Sequence, residues 1–509
     1  PSVWRGRLAA EGWSGAPGAK ARRLLALFLT SYRTQKRALC VPRTGWHGGA
    51  FVFPDNMVLY PGGADHAEEG KERLVLQVQT PHNPFQSAGT LEGWQHTVAA
   101  WARGNSRLML AIGAALAAPL LDLCNMESGG FNFTSNSTIG KTTALIAAAS
   151  VWGRGSASGG YVQNWRATSN GLEGLAALHS DALLALDEID QAPARTVQEA
   201  AYMLANGMGK SRACQDGSIR AAQSWRLIVL STGENGLADK IAEEGGRPMA
   251  GQQVRLIDVP GDAGAGLGLF EDLHGFPDSL RFADAIRAAA ATDYGHAATA
   301  FLAELQKRRA DVLPSLRAYA GDVSRLCPAD AGNQVKRGAK RFLLCAAAAE
   351  MAAEWGLLPW AEGEALAAVR KCFAAWLEIR GGVGAAEDAD ILKQVQLFLE
   401  QHGQDRFQNL EAPADKCINR VGFRAAGADE NGTPGTFFFI LPESFRAEVC
   451  KGHSAKRAAA LLYAKGLLLR GDSNSFTRKP PTLPGMGRPR CYTLFLPDDD
   501  GGEAGEKEN

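Results

Sequence analysis

The stretch "FNFTSNSTIGKTTALIAAASVWG" (residues 131–153) places a strand-like run, a short polar loop and a helix-forming run in succession. The loop ends in Gly140-Lys141-Thr142, which is how a phosphate-binding P-loop of the pattern G-x-x-x-x-G-K-[ST] closes. Ser135 stands where that pattern has its first glycine, and serine can hold the position if its φ stays negative. The order strand, loop, helix therefore predicts a P-loop that departs from the pattern at one position, and argues against a chance match in an alanine-rich helix.

The loop and the first turn after it supply the residues that we expect to contact a nucleotide. Backbone N–H groups of such a loop, together with the dipole of the following helix, hold phosphate oxygens. A lysine here reaches the β- and γ-phosphates, and the hydroxyl that follows it binds Mg²⁺. The sequence therefore predicts ATP and Mg²⁺ as cofactors. The expected nucleotide contacts are Ser137, Thr138, Ile139, Gly140, Lys141, Thr142 and Thr143.

A hydrophobic strand that ends in acid follows the loop, as a nucleotide-hydrolysing site requires. This strand is "ALLALDEID" (182–190), in which Asp187 would hold the Mg²⁺ shell and Glu188 would polarise the attacking water. Taken alone, the pair also fits a solvated turn after a buried strand. Motif, order and spacing together favour the nucleotide site, with Thr142 and Asp187 as its metal ligands.

A third apolar strand, "WRLIVLST" (225–232), ends in Ser231 and Thr232. Ligands of open α/β sheets bind at the carboxyl ends of the strands, where a polar side chain can touch the γ-phosphate or its water. In AAA+ ATPases this role is called sensor 1. We therefore expect Thr232 in the catalytic set, with an ordinary surface turn as the alternative.

Arginines near this edge are candidates for stabilising charge on the transferring phosphoryl group. Arg247 and Arg255 follow the third strand, and Arg255 begins the apolar run "RLIDVP". An arginine that a neighbouring subunit supplies in trans performs this role in ring ATPases, whereas a surface ion pair is the alternative. One residue of a basic helical face could act as a second sensor, or the face could simply be solvated. This face consists of Lys336, Arg337, Lys340 and Arg341.

The segment "GMGKSRACQDGSIRAAQSWR" (207–226) is predicted to form a basic β-hairpin, because Asp216-Gly217 is a strong turn signal. It holds four basic residues and one acid. Such a hairpin resembles the pore hairpin of hexameric helicases and would contact DNA phosphates without regard to base sequence. A merely solvated hairpin is the alternative. The expected DNA contacts here are Lys210, Arg212 and Arg220.

A second basic region, 451–497, contains nine basic residues and one acid. It reads helix, strand, a Pro/Gly-rich basic loop and strand, which is the order of a winged helix that places a helix in a groove and a wing on the backbone. The acidic tail, 498–509, is predicted to be disordered. The expected DNA contacts in this region are Lys456, Arg457, Arg478 and Lys479.

Composition limits the remaining classes of function. The 54 basic and 54 acidic residues cancel, so no global field indicates a partner. Nine cysteines without a C-x-x-C pair argue against zinc and disulfides and favour a reducing cytoplasm. The longest apolar run, 108–124, is shorter than the roughly 20 residues that a spanning helix needs, and we interpret it as a buried core helix.

The fold class predicted is α/β: a P-loop NTPase core of the AAA+ kind with a parallel sheet. A strand-rich N-terminal domain, a helical lid and a C-terminal winged-helix-like domain would accompany it. The predicted domains are 1–90 (strand-rich), 91–267 (ATPase core), 268–385 (lid), 386–497 (winged-helix-like) and 498–509 (tail).

Several stretches together resemble one family: "GTLEGWQHTVAAWARGNSRL", "ESGGFNFTSNSTIGKTTALIAAASVWG", "WRATSNGLEGLAALHSDALLALDEI", "AYMLANGMGKSRA" and "GQQVRLIDVPGDAGAGLGLFEDLHG". They look like the bacterial domain-of-unknown-function family 927, which occurs in phages, plasmids and integrative elements. Some members resemble staphylococcal cassette helicases. The resemblance implies a DNA-stimulated ATPase that forms a homo-hexameric ring and acts as a replicative helicase on single-stranded or forked DNA. A nucleotide-dependent regulatory switch without unwinding activity is the alternative.

Overall fold

The computed structural model describes most of the chain. Of the predicted features, those outside the described residues are Ser137, Thr138, Arg247, the turn Asp216-Gly217 and the tail 498–509. For Arg212 and Arg220 only the backbone is described. The described residues are 8, 12–14, 18–33, 37–61, 73–77, 83–135, 139–210, 212–213, 219–220, 222–243, 254–329, 331–380, 386–412, 417–429, 432–471 and 475–497.

The described residues of the N-terminal part include a helix and two small sheets. β1 and β5 pair in parallel, and β2, β3 and β4 form an antiparallel sheet. This part packs against the following one, since the ring of Phe51 stacks on Trp152 with centroids 5.9 Å apart. Arg43 also pairs with the buried carboxylate of Asp181 at 2.7 Å. The elements are α1 (Ala19–Ser31), β1 (Ala38–Val41), β2 (Gly45–His47), β3 (Ala50–Val52), β4 (Val58–Leu59) and β5 (Arg73–Leu76).

The central part alternates helices and strands, as the apolar runs predict. A π-helical turn, Gln95–Ala99, joins α2 to α3. The helices are α2 (Leu91–Trp94), α3 (Ala100–Ala102), α4 (Ser106–Ala117), α5 (Leu120–Leu123), α6 (Lys141–Ala149), α7 (Ser169–Leu178), α8 (Ala194–Asn206) and α9 (Leu237–Ala242). The strands are β6 (Gly129–Thr134), β7 (Gln163–Asn164), β8 (Leu183–Asp187), β9 (Arg212–Ala213), β10 (Ile219–Arg220), β11 (Ile228–Gly233) and β12 (Leu256–Pro260).

Five of these strands form one parallel sheet with the order β12-β6-β11-β8-β7. β8 and β11 are wholly buried and read as continuous apolar runs, which is typical of strands covered on both faces. The order places β11 between β6 and β8, although it comes later in the chain than both. The carboxyl ends of these three strands therefore meet at one edge of the sheet.

The run 108–124, predicted as one core helix, breaks at 118–119 and ends in the short α5, but its main part lies in α4, every residue of which is buried. This helix packs between the sheet and the helices that follow it. Among the described residues, none of the helices is long and apolar enough to cross a membrane. β9 and β10 pair antiparallel, as the predicted hairpin requires.

A loop, 261–278, follows β12, and the described residues from there to 402 are mainly helical. A 3₁₀ turn, Val323–Arg325, separates α11 from α12. Aromatic side chains pack these helices against the sheet. Phe342 of the third helix, for example, contacts Phe131 of β6 with ring centroids 4.8 Å apart. The helices are α10 (Ser279–Thr292), α11 (His296–Gly321), α12 (Asn333–Glu354), α13 (Glu364–Arg380) and α14 (Ala386–His402).

The C-terminal part contains a second five-stranded sheet, of order β13-β14-β15-β17-β16. Helix, short strand, loop and strand follow one another over 455–497, in the order predicted for that segment. The last strand, β17, lies between β15 and β16, so this sheet has its own core around Phe445 and Leu494. The elements are β13 (Phe407–Asn409), β14 (Gly422–Ala428), β15 (Pro434–Ile440), α15 (Pro442–Ser444), α16 (Ala455–Ala464), β16 (Leu468–Leu469) and β17 (Tyr492–Pro497).

Candidate functional site

The loop between β6 and α6 is described at its start, Ser135, and at its end, Ile139 and Gly140. Gly140 stands at the helix N-cap in the left-handed region, with φ 102°, and α6 begins at Lys141. A Cβ added at Gly140 would lie 3.1 Å from the ring of Phe270, so close packing also favours glycine there. The first N–H groups of a nine-residue helix therefore open onto this edge of the sheet.

Lys141 lies within reach of three acidic side chains. Its ammonium donates to the carbonyl oxygen of Ser135 across the loop. Burial lowers the pKa of Lys141 below its ordinary value, and the carboxylates of Glu234, Asp190 and Asp187 act in the opposite direction. A half-buried cation between the loop and a carboxylate-lined edge is suited to a phosphate, whose charge it would balance.

The side chains at the ends of β8 and β11 form one connected group with the loop. The hydroxyl of Thr142 lies 3.4 Å from Oδ1 of Asp187. Thr232 donates its hydroxyl to the same oxygen and accepts the N–H of Glu188 at 3.0 Å. Because β11 lies between the other two strands, Thr232 holds the aspartate and the glutamate backbone in one fixed arrangement.

Glu188 stands on a strained position at the edge of the sheet. Its φ is 58°, in the left-handed region that non-glycine residues seldom adopt. Its carboxylate is exposed and accepts a hydrogen bond from the amide of Gln191. Such outliers cluster at functional sites, and Glu188 lines the same cavity as the end of the loop.

Lys141, Thr142, Glu188 and Thr232 line a cavity of about 410 Å³. Its lining combines the loop, the two acidic strand ends and the first helix of the helical region. The residues are Ile139, Gly140, Lys141, Thr142, Glu188, Asp190, Gln191, Thr232, Gly233, Glu234, Leu280 and Arg287.

Ser231, the other polar residue at the end of the third strand, lies on the opposite face of the sheet. It is fully buried, and its hydroxyl accepts the indole N–H of Trp165 at 2.8 Å. Successive side chains of a strand point to opposite faces, so only one of the two hydroxyls can face the cavity. The structure places Thr232 there.

The cavity also contains an arginine that the sequence reasoning missed. Arg287, on α10, lines the cavity, and its Nε donates to the buried hydroxyl of Thr143 at 3.1 Å. One Nη donates to Asp284, one turn earlier, at 2.9 Å. No local motif marks this residue; the only signal is a basic residue in the first helix after the last strand of the sheet.

Arg255 and Arg341, two of the arginines considered for the site, lie away from the cavity within one chain. Arg255 precedes β12 at the amino edge of the sheet, and its guanidinium lies over the ring of Tyr202 at 5.5 Å. Arg341 is buried at the same edge, where it donates to the carbonyls of Val254 and Ser128. Arg341 therefore stabilises the fold and is not a second sensor.

Two more members of the basic helical face also do not reach the cavity. Arg337 pairs with Glu127, just before β6, at 2.8 Å. Lys336 donates to the carbonyl of Ala329 at 2.7 Å. Within one chain, the contacts of these two side chains therefore lie away from the cavity.

The residues predicted to contact DNA differ in how free they are. Lys456 and Lys479 are exposed, whereas Arg478 is half-buried and its backbone bridges to Cys491. Arg457 is exposed but pairs with Asp388 at 2.9 Å.

At the base of the predicted hairpin, acids offset part of the positive charge. Lys210 lies 3.8 Å from Glu199, and Arg226 pairs with Asp122 at 3.1 Å.

Within the described ranges, no group of three or more histidine, cysteine or acidic side chains is arranged to hold a metal such as zinc.

Comparison with known proteins agrees with the family predicted from the sequence. Residues 2–224 match the model of the domain of unknown function DUF927, which confirms that prediction over these residues. No curated protein matches the chain. A solved structure, "SCCmec type IV Cch - active helicase", is similar with a TM-score of 0.72 and 18% identity. The similarity covers 97% of this chain and 85% of that one, and it shows a shared mixed α/β fold.

Proposed function

We propose that this chain, whose residues 2–224 match the DUF927 family, is an ATP-hydrolysing DNA helicase with an AAA+-like core. The observation that carries the proposal is the group formed by Thr142, Asp187, Thr232 and Glu188 beside Lys141. Asp187 ends β8, Glu188 follows it, and the Thr232 hydroxyl of the neighbouring strand β11 contacts both. This arrangement suits ATP hydrolysis by a water that the glutamate activates. The fold shared with the cassette helicase is consistent with this function.

The residues present fit Mg²⁺ and a triphosphate. Mg²⁺ takes oxygen ligands, and the Thr142 hydroxyl and the Asp187 carboxylate, 3.4 Å apart, are such a pair. The metal, when bound, neutralises charge between the β- and γ-phosphates. Lys141 would bind the phosphates, Glu188 would orient the attacking water, and Arg287 would contact the phosphates from the helical region.

Two substitutions test the proposed chemistry. Lys141→Ala removes the phosphate cation, and Glu188→Gln removes the base that orients water. Each should lower ATP turnover by about 10²-fold or more. Exposed counterparts serve as controls: Lys307→Ala and Glu443→Gln, whose side chains are 65% and 84% exposed. Unchanged turnover in both site variants would remove the nucleotide assignment.

Strand displacement on a forked duplex distinguishes a helicase from a regulatory switch. A helicase should show ATP turnover that single-stranded DNA stimulates and displacement that Lys210→Ala weakens, because the hairpin would contact phosphates. ATP turnover without DNA stimulation or displacement would support the switch.

A ring, proposed as a homo-hexamer, would give Arg255 its role in trans. Within one chain this side chain lies at the opposite edge of the sheet from Lys141. A mixture of Arg255→Ala and Lys141→Ala subunits should recover part of the turnover, since an intact half-site from each can meet at one interface. No recovery, with both variants still assembling, would exclude Arg255 from the active site.

A further inference from the structure

The first helix, α1, lies at the surface with a large apolar face uncovered. All 13 of its residues are described, and none of them is buried. Leu24, Leu27 and Phe28 are 56%, 52% and 59% exposed. Their spacing, i, i+3 and i+4, places them on one face of the helix, and such a face normally packs against a protein surface. A contiguous apolar face of this kind marks an interaction site.

Two cations lie on the same face, toward the N-terminal end of the helix. Lys20 and Arg23 stand four residues before Leu24 and Leu27, so each lies one turn above an apolar side chain. Both are exposed, and among the described residues neither forms an ion pair. A partner that fits this face of α1 therefore combines an apolar surface with carboxylates.

A cavity of about 760 Å³ in the helical region has this composition. Residues of α11, of α12 and of the segment around the start of α13 line it, and we call it the acidic cavity. Leu316, Met351 and Trp360 contribute to its apolar lining. Four acids and one arginine also line it. They are Asp311, Glu350, Glu354, Glu362 and Arg325.

Contacts within the chain hold the walls of the acidic cavity in place. The Glu350 carboxylate accepts the N–H groups of Gly363 and Leu366 at 2.9 and 3.0 Å, which fixes the start of α13 against α12. The indole N–H of Trp360 donates to the carbonyl of Ala99 at 2.8 Å. The cavity is thus formed before a partner arrives, which lowers the entropic cost of binding.

The other three acids of the cavity are available to a partner. Asp311, Glu354 and Glu362 are exposed, and none of them forms an ion pair with a described residue. The lining arginine does not neutralise them, because Arg325 pairs with Asp322 at 3.2 Å and lies over the ring of Tyr319 at 4.3 Å. The cavity therefore presents unpaired negative charge beside its apolar surface.

We propose that α1 of one subunit docks in the acidic cavity of a second copy of this chain. Leu24, Leu27 and Phe28 would pack on the apolar lining, and Lys20 and Arg23 would pair with the available acids. Charge complementarity favours a second copy, since this chain carries both halves of the contact. No residue of α1 lines the acidic cavity of its own chain.

The two surfaces differ, so the contact joins subunits head to tail. A head-to-tail contact generates either a closed ring or a filament. The contact goes beyond the proposed ATP hydrolysis, because neither surface includes a residue of the nucleotide cavity. It would hold the proposed ring together without nucleotide.

Two charge reversals test the contact in the full chain. Lys20→Glu/Arg23→Glu makes the face of α1 acidic, and Glu354→Lys/Glu362→Lys makes the cavity basic. Each variant alone brings like charges together, so the dissociation constant between subunits should rise about tenfold or more. Sedimentation velocity without nucleotide measures this association.

An equimolar mixture of the two variants should regain the association of the unchanged protein. In the mixture, α1 of each variant meets a cavity of opposite charge on the other, so subunits of the two kinds can alternate. A chain that carries all four reversals should also regain association, which shows that the substitutions leave the fold intact.

The apolar half of the contact has its own variant and control. Leu24→Ala/Phe28→Ala removes two exposed side chains, so it should cost the fold little while it weakens association about tenfold. Ile379→Ala/Leu397→Ala, at residues that are 56% and 44% exposed and outside both surfaces, should leave association unchanged.

The proposal is overturned if the unchanged protein stays monomeric, if the charge reversals do not weaken association, or if their mixture does not regain it. A contact between α1 and the cavity of its own chain would give the last result. Unchanged association with lost binding to anionic phospholipid vesicles in Lys20→Glu/Arg23→Glu would assign α1 to a lipid surface instead. ATP turnover in Lys141→Ala tests the proposed function separately, so either proposal can fail without the other.

Discussion

Replacement of Arg287 by alanine should impair nucleotide use far more than it impairs folding. The side chain is 41% exposed and pairs with Asp284, which is 55% exposed, so this ion pair contributes less than about 1 kcal/mol. The bond to the Thr143 hydroxyl, at 3.1 Å, adds about 1 kcal/mol. We therefore expect the free energy of unfolding to fall by no more than about 2 kcal/mol.

The expected loss of function is larger because the lost partner is a charged phosphate. A charge-assisted hydrogen bond contributes about 1.5–3 kcal/mol, which is a factor of roughly 10 to 150 in kcat/KM for ATP. Arg287→Lys should recover only part of this, since an ammonium cannot bind a phosphate in the two-pronged way of a guanidinium. Steady-state ATP hydrolysis measures the effect, and a denaturant midpoint measures stability.

Arg308→Ala is the matched control for this prediction. Arg308 is 48% exposed and pairs with Glu304 at 3.2 Å, so it resembles Arg287 in exposure and pairing but lies on α11 and does not line the cavity that contains Arg287. If Arg287→Ala hydrolyses ATP within about twofold of Arg308→Ala, Arg287 does not contact the phosphates.

Three further predictions concern stability and DNA binding. Burial lowers the pKa of His179 to about 4, so the folded chain keeps it neutral while the unfolded chain binds a proton below its ordinary pKa of 6.5. The contribution of His179 alone to the free energy of unfolding should therefore fall by about 2 kcal/mol from pH 7 to pH 5, and His179→Gln should remove that part of the pH dependence of the denaturant midpoint. Asp181→Ala removes the buried carboxylate that pairs with Arg43 and should lower the free energy of unfolding by about 3 kcal/mol. Asp122→Ala, at an acid that is 44% exposed, should lower it by less than about 1 kcal/mol, and thermal unfolding measures both changes. Lys456→Ala and Lys479→Ala should each reduce the slope of log affinity against log salt by about 0.9 if each side chain contacts a DNA phosphate, and equal slopes would exclude that contact.

Lys456→Ala and Lys479→Ala test DNA binding better than removal of residues 451–509 would, although the basic composition of that segment suggests the truncation. β16 and β17 both lie in that segment, and β17 pairs with β15 along its whole length. Removal would strip two strands from the second sheet and expose its core. Lost DNA binding in such a fragment could therefore not be attributed to lost charge.

The strands of the central sheet and the P-loop were predictable because their signals are local. β6, β8, β11 and β12 are short apolar runs bounded by polar or glycine residues, and a parallel sheet buried on both faces requires such runs. The loop likewise depends on residues within a few positions of one another. Lys141, Asp187 and Thr232 could thus be placed at one edge before the structure was known, from motif and strand ends alone.

Residues whose role depends on distant packing could not be predicted in this way. Arg287 meets Thr143 across 144 positions of sequence, and no short pattern records that approach. Arg341 is buried and not solvated because Gly129 leaves room for it; a Cβ added there would lie 2.3 Å from its Nη2. Ser231 likewise meets Trp165 on the far face of the sheet across 66 positions of sequence, a contact that no short pattern predicts.

The strand order of the central sheet has a consequence for how such chains can be cut and recombined. The stretch that matches the family ends at residue 224, but β11, which begins at Ile228, lies between two strands inside that stretch. A fragment that ended at the match would leave β6 and β8 about 10 Å apart, a gap that needs one strand to fill it. The unit that sequence likeness recognises is thus smaller than the unit that folds. Recombination between related genes should preserve the fold when the crossover lies before residue 129 or after residue 260. A crossover within the sheet would combine strands from two parent proteins, and those strands would still have to pair edge to edge.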